Sequence, residues 1–338
     1  MSSSLLIDTI CRPFRTGRSG WWSRGLKSWA DFSCTYGAVP PGHILTLGVL
    51  AFFWLVGSAF AEEAVIFAHY NVENYLEMNR REGGSTLFGP KPAGETNTLI
   101  RIIKEIHPDI LGVAEMGPPD QFQDFQKRLK EAGLEFPFTE YVSGADHNRH
   151  LALLSRFRIV ERHSENDPFF DLNGQRELVE RGFLDATIEV NPTFRLRVVG
   201  AHLKSKLAVP SGEALLRRNE ARLLRQHIDG VLSKDPNEKL LVYGDLNDTK
   251  DQPAIQEVLS PRQGPNRLKE IVLTDAQGDR WTYYRRLSDT YDRIDYILTD
   301  QALLPQIDQS HSYLYRSADW YSASDHRPVV VVIRAKAP

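Results

Sequence analysis

The sequence predicts an α/β domain over residues 62–338, preceded by a basic and then apolar leader, and three observations carry that prediction. Short apolar runs of strand length alternate with stretches whose apolar residues fall at helical spacing. Most of those runs end in Asp, Asn, Glu or His rather than in a neutral turn. No internal repeat, low-complexity tract or long linker divides the chain after the leader, and 41% hydrophobic with 25% charged residues is enough to build a core.

The leader comes first. Residues 1–61 carry Arg12, Arg15, Arg18, Arg24 and Lys27 against Asp8 and Asp31, a net of +3 within a chain of net charge -3. The domain is therefore acidic, and it has no overall pull towards polyanions. A nucleic-acid substrate would need a local basic patch or bound metal. The uncharged run Ile44 to Gly57 ends in Ser58-Ala59-Phe60-Ala61 before Glu62-Glu63. An A-x-A of this kind marks a secretory signal peptide, and a periplasmic or extracellular location is expected. The alternative is an uncleaved anchor, because the run approaches the roughly 20 residues that span a bilayer. Membrane contact is expected only in that case. The basic part is long for a signal peptide, as it would be if translation began downstream of Met1–Pro41. Cys11 and Cys34 both lie in the leader, so the mature domain forms no disulfide.

In chain order, Ala64 to Asn74 reads as a strand with Asn71 at its exit, and the glycines and prolines of residues 83–92 as a surface loop. Leu99, Ile102, Ile103 and Ile106 predict a helix stopped by Pro108. Asp109 to Met116 is a second strand, carrying Glu115. Phe122, Phe125 and Leu129 stripe a helix that Gly133 ends. Leu151 to Ser155 is a strand, and Phe183–Val190 with Phe194–Ala201 is a strand pair turned at Asn191-Pro192 and leading into His202. Leu215 to Leu232 is a long helix whose Arg217, Arg218, Arg222 and Arg225 read as a solvated face. Leu240 to Tyr243 is a central strand broken by Gly244, after which come Asp245, Asn247 and Asp248. That segment alone reads first as a strand ending in a polar turn and only second as a device placing Asp245 and Asn247 in a cleft. Arg293 to Leu298 is a strand containing Asp295, and Asp325-His326 lead into the last strand, Val329–Ile333.

A charge at the end of a buried strand is expensive unless it is paired or used. Asn71, Glu115, His202, Asp245, Asn247, Asp295, Asp325 and His326 share that placement, and adjacent strands would bring them to one face. Carboxylates and amides without cysteine are hard ligands suited to Mg2+, Mn2+ or Ca2+ rather than zinc. Asp295 suits the orientation of a histidine. A serine triad would fit these residue types, but no G-x-S-x-G elbow is present.

Tyr70-Asn71-Val72-Glu73-Asn74, Pro108-Asp109-Ile110-Leu111 with Glu115, His202-Leu203-Lys204-Ser205-Lys206, Gly244-Asp245-Leu246-Asn247, Arg293-Ile294-Asp295-Tyr296 and Ser324-Asp325-His326-Arg327-Pro328 occur in this order. Together the series resembles the motifs of the endonuclease/exonuclease/phosphatase superfamily across residues 64–334. The resemblance implies a four-layer α/β sandwich, with two packed β-sheets flanked by helices, and Mg2+-dependent hydrolysis of a phosphate ester. It implies that Glu115 is the principal metal ligand, with Asn71 and Asp325 nearby. Asp245 would orient or deprotonate water and Asn247 hold a phosphate oxygen. His326 would contact the scissile phosphate with Asp295 as its partner, and His202 would be a second phosphate-side histidine. Asp245 and His326 both qualify as the general base. Two positions depart from the pattern, His69 and His150, where small residues are common at the cleft border. Asp146 to His150 suits either a phosphate-contacting loop or a solvated turn.

Three functions fit. An exported nuclease, acting as a monomer, is the leading expectation, on the strength of Lys204 and Lys206 beside His202. A phosphatase or phosphodiesterase on a small molecule or lipid headgroup is the second; Trp320-Tyr321 is the aromatic pair placed to meet a lipid, although ordinary packing explains it as well. A non-catalytic binding module is the third, and no metal ligand or histidine is missing as it would require.

Overall fold

The structure, a computed structural model, describes residues 63–82, 85–260 and 266–335. The signal peptide or anchor expected at residues 44–61, the basic segment before it and both cysteines lie outside the described residues.

The chain opens with β1 (Glu63–Tyr75), the hairpin β2 (Met78–Glu82) and β3 (Ser85–Gly89), and then α1 (Ala93–Ile106), β4 (Ile110–Met116) and α2 (Pro119–Glu131). Next come β5 (Phe138–Val142), β6 (His150–Ser155), β7 (Arg158–Arg162), and a second hairpin of β8 (Phe169–Leu172) and β9 (Gln175–Leu178). The middle of the domain is β10 (Phe183–Asn191), β11 (Phe194–His202), α3 (Glu213–Lys234), β12 (Leu240–Asp245) and α4 (Pro253–Leu259). It closes with β13 (Lys269–Glu270), the hairpin β14 (Tyr283–Arg285) and β15 (Thr290–Asp292), β16 (Asp295–Thr299), β17 (Ile307–Leu314) and β18 (Val329–Ala335).

Two six-stranded mixed sheets form, in the orders β17-β18-β1-β4-β6-β5 and β13-β16-β12-β11-β10-β7. The period of two along each strand decides the layering. Val65 and Phe67 of β1 and Leu241 and Tyr243 of β12 enter one core between the sheets. Ala68, Tyr70 and Val72 of β1 instead meet α1 and α2, while Leu240 and Val242 of β12 meet α3 and α4. The result is the four-layer α/β sandwich: helices, sheet, sheet, helices. Tyr243 crosses the central layer. A Cβ on Gly112 of β4 would lie 2.2 Å from its ring and one on Gly200 of β11 2.6 Å, so both strands are bare where the ring passes.

Several expectations need correction. Ser85–Gly89, expected within a surface loop, is a strand paired antiparallel with Met78–Glu82. Gly244 does not break the central strand: β12 continues to Asp245, and the missing side chain makes room for the Ala201 carbonyl. The arginines of α3 are not all solvated. Arg218 and Arg222 are exposed, but Arg217 and Arg225 are buried, because they fall on the same stripe as Ala221, Leu224 and Ile228. The ordinary-packing reading of Trp320 and Tyr321, by contrast, holds: they pack on Trp281 and Tyr284, with ring centroids 5.2 Å and 5.3 Å apart.

Candidate active site

One end of both sheets carries the polar residues. His202, Asp245 and Asp295 are register partners across β11, β12 and β16 and so stand in a row. The first sheet contributes Asn71 of β1 and Glu115 of β4, and the segment entering β18 contributes Asp325 and His326. All eight residues singled out from the sequence meet here. They sit in or beneath a cleft of about 710 Å³, lined by Glu115, His202, Asp245, Asn247, Asp325 and His326 among others.

A buried relay lies at the floor. His326 Nδ1 is 2.8 Å from Asp295 Oδ2, and His326 Nε2 is 3.6 Å from Asp245 Oδ2. His202 Nε2 approaches the same oxygen at 3.5 Å, and Asn71 Nδ2 donates to it at 3.1 Å. Asn71 Nδ2 also donates to Glu115 Oε1 at 3.3 Å, while its Oδ1 accepts the Glu73 N–H at 3.0 Å. Asn71 therefore sets two carboxylates at a fixed spacing. Asn247 donates its N–H to Asp245 Oδ1 and its amide to the Leu203 carbonyl, both at 2.9 Å.

Backbone strain gathers at the same place. Glu73, Asn74, Glu115 and Asn247 all adopt left-handed φ, between 46° and 61°, at a cost of about 1–3 kcal/mol each. Site groups hold three of these N–H donors: Asn71 takes Glu73, Glu115 Oε2 takes Asn74 at 2.9 Å, and Asp245 takes Asn247.

Burial and charge divide the groups into two kinds. Burial opposes protonation of His326, but the Asp295 and Asp245 carboxylates outweigh it and hold the imidazole well above its usual range. Burial would likewise raise Asp295, yet His326 keeps it below the carboxylate range. Asp245 is lifted to about 6 by burial against the opposing charge of His326. Asp325 is pushed up to about 7 by burial and then by Glu73, Glu115 and Asp245, against His326. His202 falls well below its usual range through burial, with Arg181 and His326 adding to the effect.

These values bear on a cation. Asp245, Asp295 and His326 bring ligand atoms within 4.8 Å of one another, but the histidine already offsets one of that triple's two carboxylates. Further carboxylates gather at Glu115, Asp325 and Glu73, and Glu115 raises Glu73, Asp245 and Asp325 alike. The Asp325 side chain is 29% exposed. An oxygen-only edge that is short of positive charge suits a hard divalent ion. Glu115 and Asp325 would hold it, with Asn71 fixing the Glu115 carboxylate.

Glu73 was not singled out from the sequence. Its Oε2 accepts the Asp325 N–H at 3.1 Å and so ties the two sheet-end loops together. The departures His69 and His150 do not line the cleft. His69 is buried with Nε2 3.3 Å from the far oxygen of Asp295, and His150 Nδ1 is 2.6 Å from the Ser143 carbonyl.

Residues 68–326 match the Endonuclease/Exonuclease/phosphatase family. No curated protein sequence matches the chain. Solved structures do. The human Nocturnin catalytic domain with bound sulfate anion superposes with a TM-score of 0.56 at 16% identity, covering 81% of this chain and 95% of that one. An endonuclease/exonuclease/phosphatase from Bacteroides vulgatus gives 0.56 at 14% identity, covering 81% and 100%. Truncated TDP2 of Caenorhabditis elegans gives 0.54 at 13%, covering 80% and 98%. At these identities the likeness is one of fold.

Proposed function

The chain belongs to the endonuclease/exonuclease/phosphatase family of metal-dependent phosphoester hydrolases, and on that premise we propose that its cleft hydrolyses phosphodiesters of nucleic acid. The observation that carries the reading is the meeting, in one cleft, of a carboxylate edge at Glu115 and Asp325 with a His326 fixed by Asp295.

Bound at Glu115 and Asp325, a Mg2+ ion (or Mn2+ or Ca2+) would polarise a phosphoryl oxygen and offset charge developing on it. Asp245 is the group suited to take the proton of an attacking water. Its oxygens are held by Asn247 and Asn71, so its aim is fixed. His326, kept cationic by its carboxylate neighbours, is suited to donate from Nε2 to a phosphate oxygen rather than to accept a proton. Asp295 keeps Nδ1 protonated and the ring in place. Asn247 and the uncharged His202 flank Asp245 and complete the phosphate side.

The basic lining, with Arg149, Arg181, Lys204, Lys206 and Arg285, favours a nucleic-acid chain. A second reading, hydrolysis of a lipid or small-molecule headgroup, is favoured by Leu207 and Leu287 on the cleft rim, which are 73% and 100% exposed. The leader supports action outside the cytoplasm.

The test is to incubate the purified protein with plasmid, single-stranded DNA, RNA, sphingomyelin vesicles and bis-p-nitrophenyl phosphate, in Mg2+ and in chelator. Cleavage of nucleic acid that chelator stops and His326→Ala abolishes supports the proposal. Turnover of sphingomyelin alone would move the assignment to the second reading. Hydrolysis unaffected by chelator would overturn both.

A further inference from the structure

We propose that the cationic wall of the cleft is a second anion site, which takes a phosphate flanking the one being cleaved. The inference deepens the nuclease reading and rests on it for the nature of the substrate.

The wall comes from three loops. Arg149 precedes β6, Arg181 precedes β10, and Lys204 and Lys206 follow β11. All four line the cleft, and so do the acids Asp146 and Glu180. These two carboxylates are shared among three cations. Asp146 Oδ2 lies 3.3 Å from Arg181 Nη2 and 3.9 Å from Arg149 Nη1. Glu180 lies 2.6 Å from Arg181 Nη1 and 2.9 Å from Lys204 Nζ. Lys206 leans on Asp248 at 3.6 Å. Arg149 Nε also donates to Asn74 Oδ1 at 2.7 Å, and the Asn74 N–H is held by Glu115, so the wall begins beside the Glu115 edge; its four cations have three carboxylate partners, Asp146, Glu180 and Asp248.

The wall is built, not merely accumulated. Asp146 N–H donates to the Glu180 carbonyl at 2.6 Å. Gly144, at φ +61°, brings its loop so close that a Cβ would lie 2.6 Å from the Arg181 backbone. Behind the loops, the buried Glu220 of α3 accepts the Glu180 N–H at 3.4 Å with one oxygen and the Lys204 N–H at 2.6 Å with the other. Arg217 of the same helix donates to the carbonyls of Lys204 and Ser205 at 3.1 Å and 3.3 Å. The charges that α3 buries therefore lock the backbones that carry Arg181 and Lys204.

Arg181 is incompletely satisfied. Its side chain is only 7% exposed and lines the cleft, and neither Nε nor Nη1 makes a hydrogen bond, although Nη1 stands 2.6 Å from Glu180 as an ion pair. A buried N–H without an acceptor is costly. Asp146 and Glu180 already stand on the two terminal nitrogens, so Nε is the position left for an anion's oxygen, and a guanidinium N–H suits phosphate as it suits carboxylate. His202 approaches Asp245 at 3.5 Å and feels the charges of both Arg181 and His326, so an anion on Arg181 would neighbour the scissile phosphate without replacing it.

Thymidylyl-thymidine, which has only the scissile phosphate, and its 5′- and 3′-phosphorylated forms, which add one neighbour, separate the possibilities. With the intact protein in Mg2+, one of the phosphorylated forms should be cleaved with kcat/KM about tenfold or more above the parent, as one charge-assisted bond implies. That ratio should collapse towards one in Arg181→Gln. Arg149→Gln, whose side chain is 31% exposed, serves if Arg181→Gln does not fold, and should lower the ratio in part. Equilibrium binding of the same three dinucleotides in chelator is read in parallel. Arg181-dependent preference in binding, without any cleavage, would uphold the anion site and refute the nuclease reading. Equal handling of all three by the parent protein, in cleavage and in binding, would overturn the anion site and leave the nuclease reading standing.

Discussion

Replacing Asp295 by Asn probes the relay at its centre. The carboxylate sits 2.8 Å from His326 Nδ1, and both side chains are at most 5% exposed. The substitution keeps the volume and removes the charge. A charge-assisted hydrogen bond contributes about 1.5–3 kcal/mol, which alone is a loss of about ten- to a hundredfold if it is expressed in the transition state. An amide can also present its NH2 to the ring and select the wrong tautomer; in the Ser-His-Asp triad the same acid-to-amide change lowers kcat by about 10⁴. Asp295→Asn should therefore lower kcat between about 10² and 10⁴ while KM moves little. Steady-state kinetics on bis-p-nitrophenyl phosphate or an oligonucleotide reads this directly, with thermal unfolding run alongside to confirm a folded variant. The pH profile supplies a sign. Asp295 helps hold His326 cationic, so its loss lets the imidazole titrate lower, and activity that needs the charged ring should fall off at lower pH than in the parent. A variant within tenfold of the parent at every pH would refute the role given to the pair.

The remaining predictions concern metal, stability and packing. Metal-free Asp325 holds its proton up to about pH 7, and a cation must displace it. Mg2+ affinity by calorimetry should weaken from pH 8 to pH 6, and a pH-independent affinity would contradict the assignment of Asp325. Glu220 is raised by burial from 4.5 to about 7. Its contribution to stability is complete below the unfolded value and is lost as pH rises through the folded one. Between pH 5 and pH 8 the parent should therefore lose about 2.5 kcal/mol relative to Glu220→Gln in denaturant unfolding; identical pH dependence in the two proteins would show that Glu220 is not perturbed. Gly112→Ala puts a Cβ 2.2 Å from the Tyr243 ring and should destabilise the domain by about 1–3 kcal/mol, read as a lowered Tm.

The legible part of the sequence was local. Runs such as Leu240–Tyr243 and Val329–Ile333 mark strands whatever their neighbours, and an acid or histidine at the exit stands out because burial would otherwise penalise it. All eight residues chosen on that ground meet at one end of the two sheets. What decides strand order is pairing between distant segments, and no single segment carries that information. The layering followed from the superfamily resemblance, not from periodicity. Glu73 was hidden because it follows Asn71 in a polar stretch, and only its bond to the Asp325 N–H reveals its place. Arg217 and Arg225 looked like surface charges of a helix. A signal did exist: both fall on the stripe completed by Leu224 and Ile228, where a solvated residue does not belong. The hairpin of β14 and β15 was likewise unseen, because Arg285, Arg286 and Leu287 give no alternation to read.

The central claim is that Glu115 and Asp325 share one divalent cation beside His326. Anomalous diffraction from a crystal soaked in Mn2+ tests it most directly. The account predicts one peak, at about 2.0–2.2 Å from a carboxylate oxygen of Glu115 and close to Asp325, as expected for a small, hard octahedral ion, and its loss in Glu115→Gln. A cleft that stays empty at saturating Mn2+, or a peak held by Asp295 and His326 instead, would contradict it.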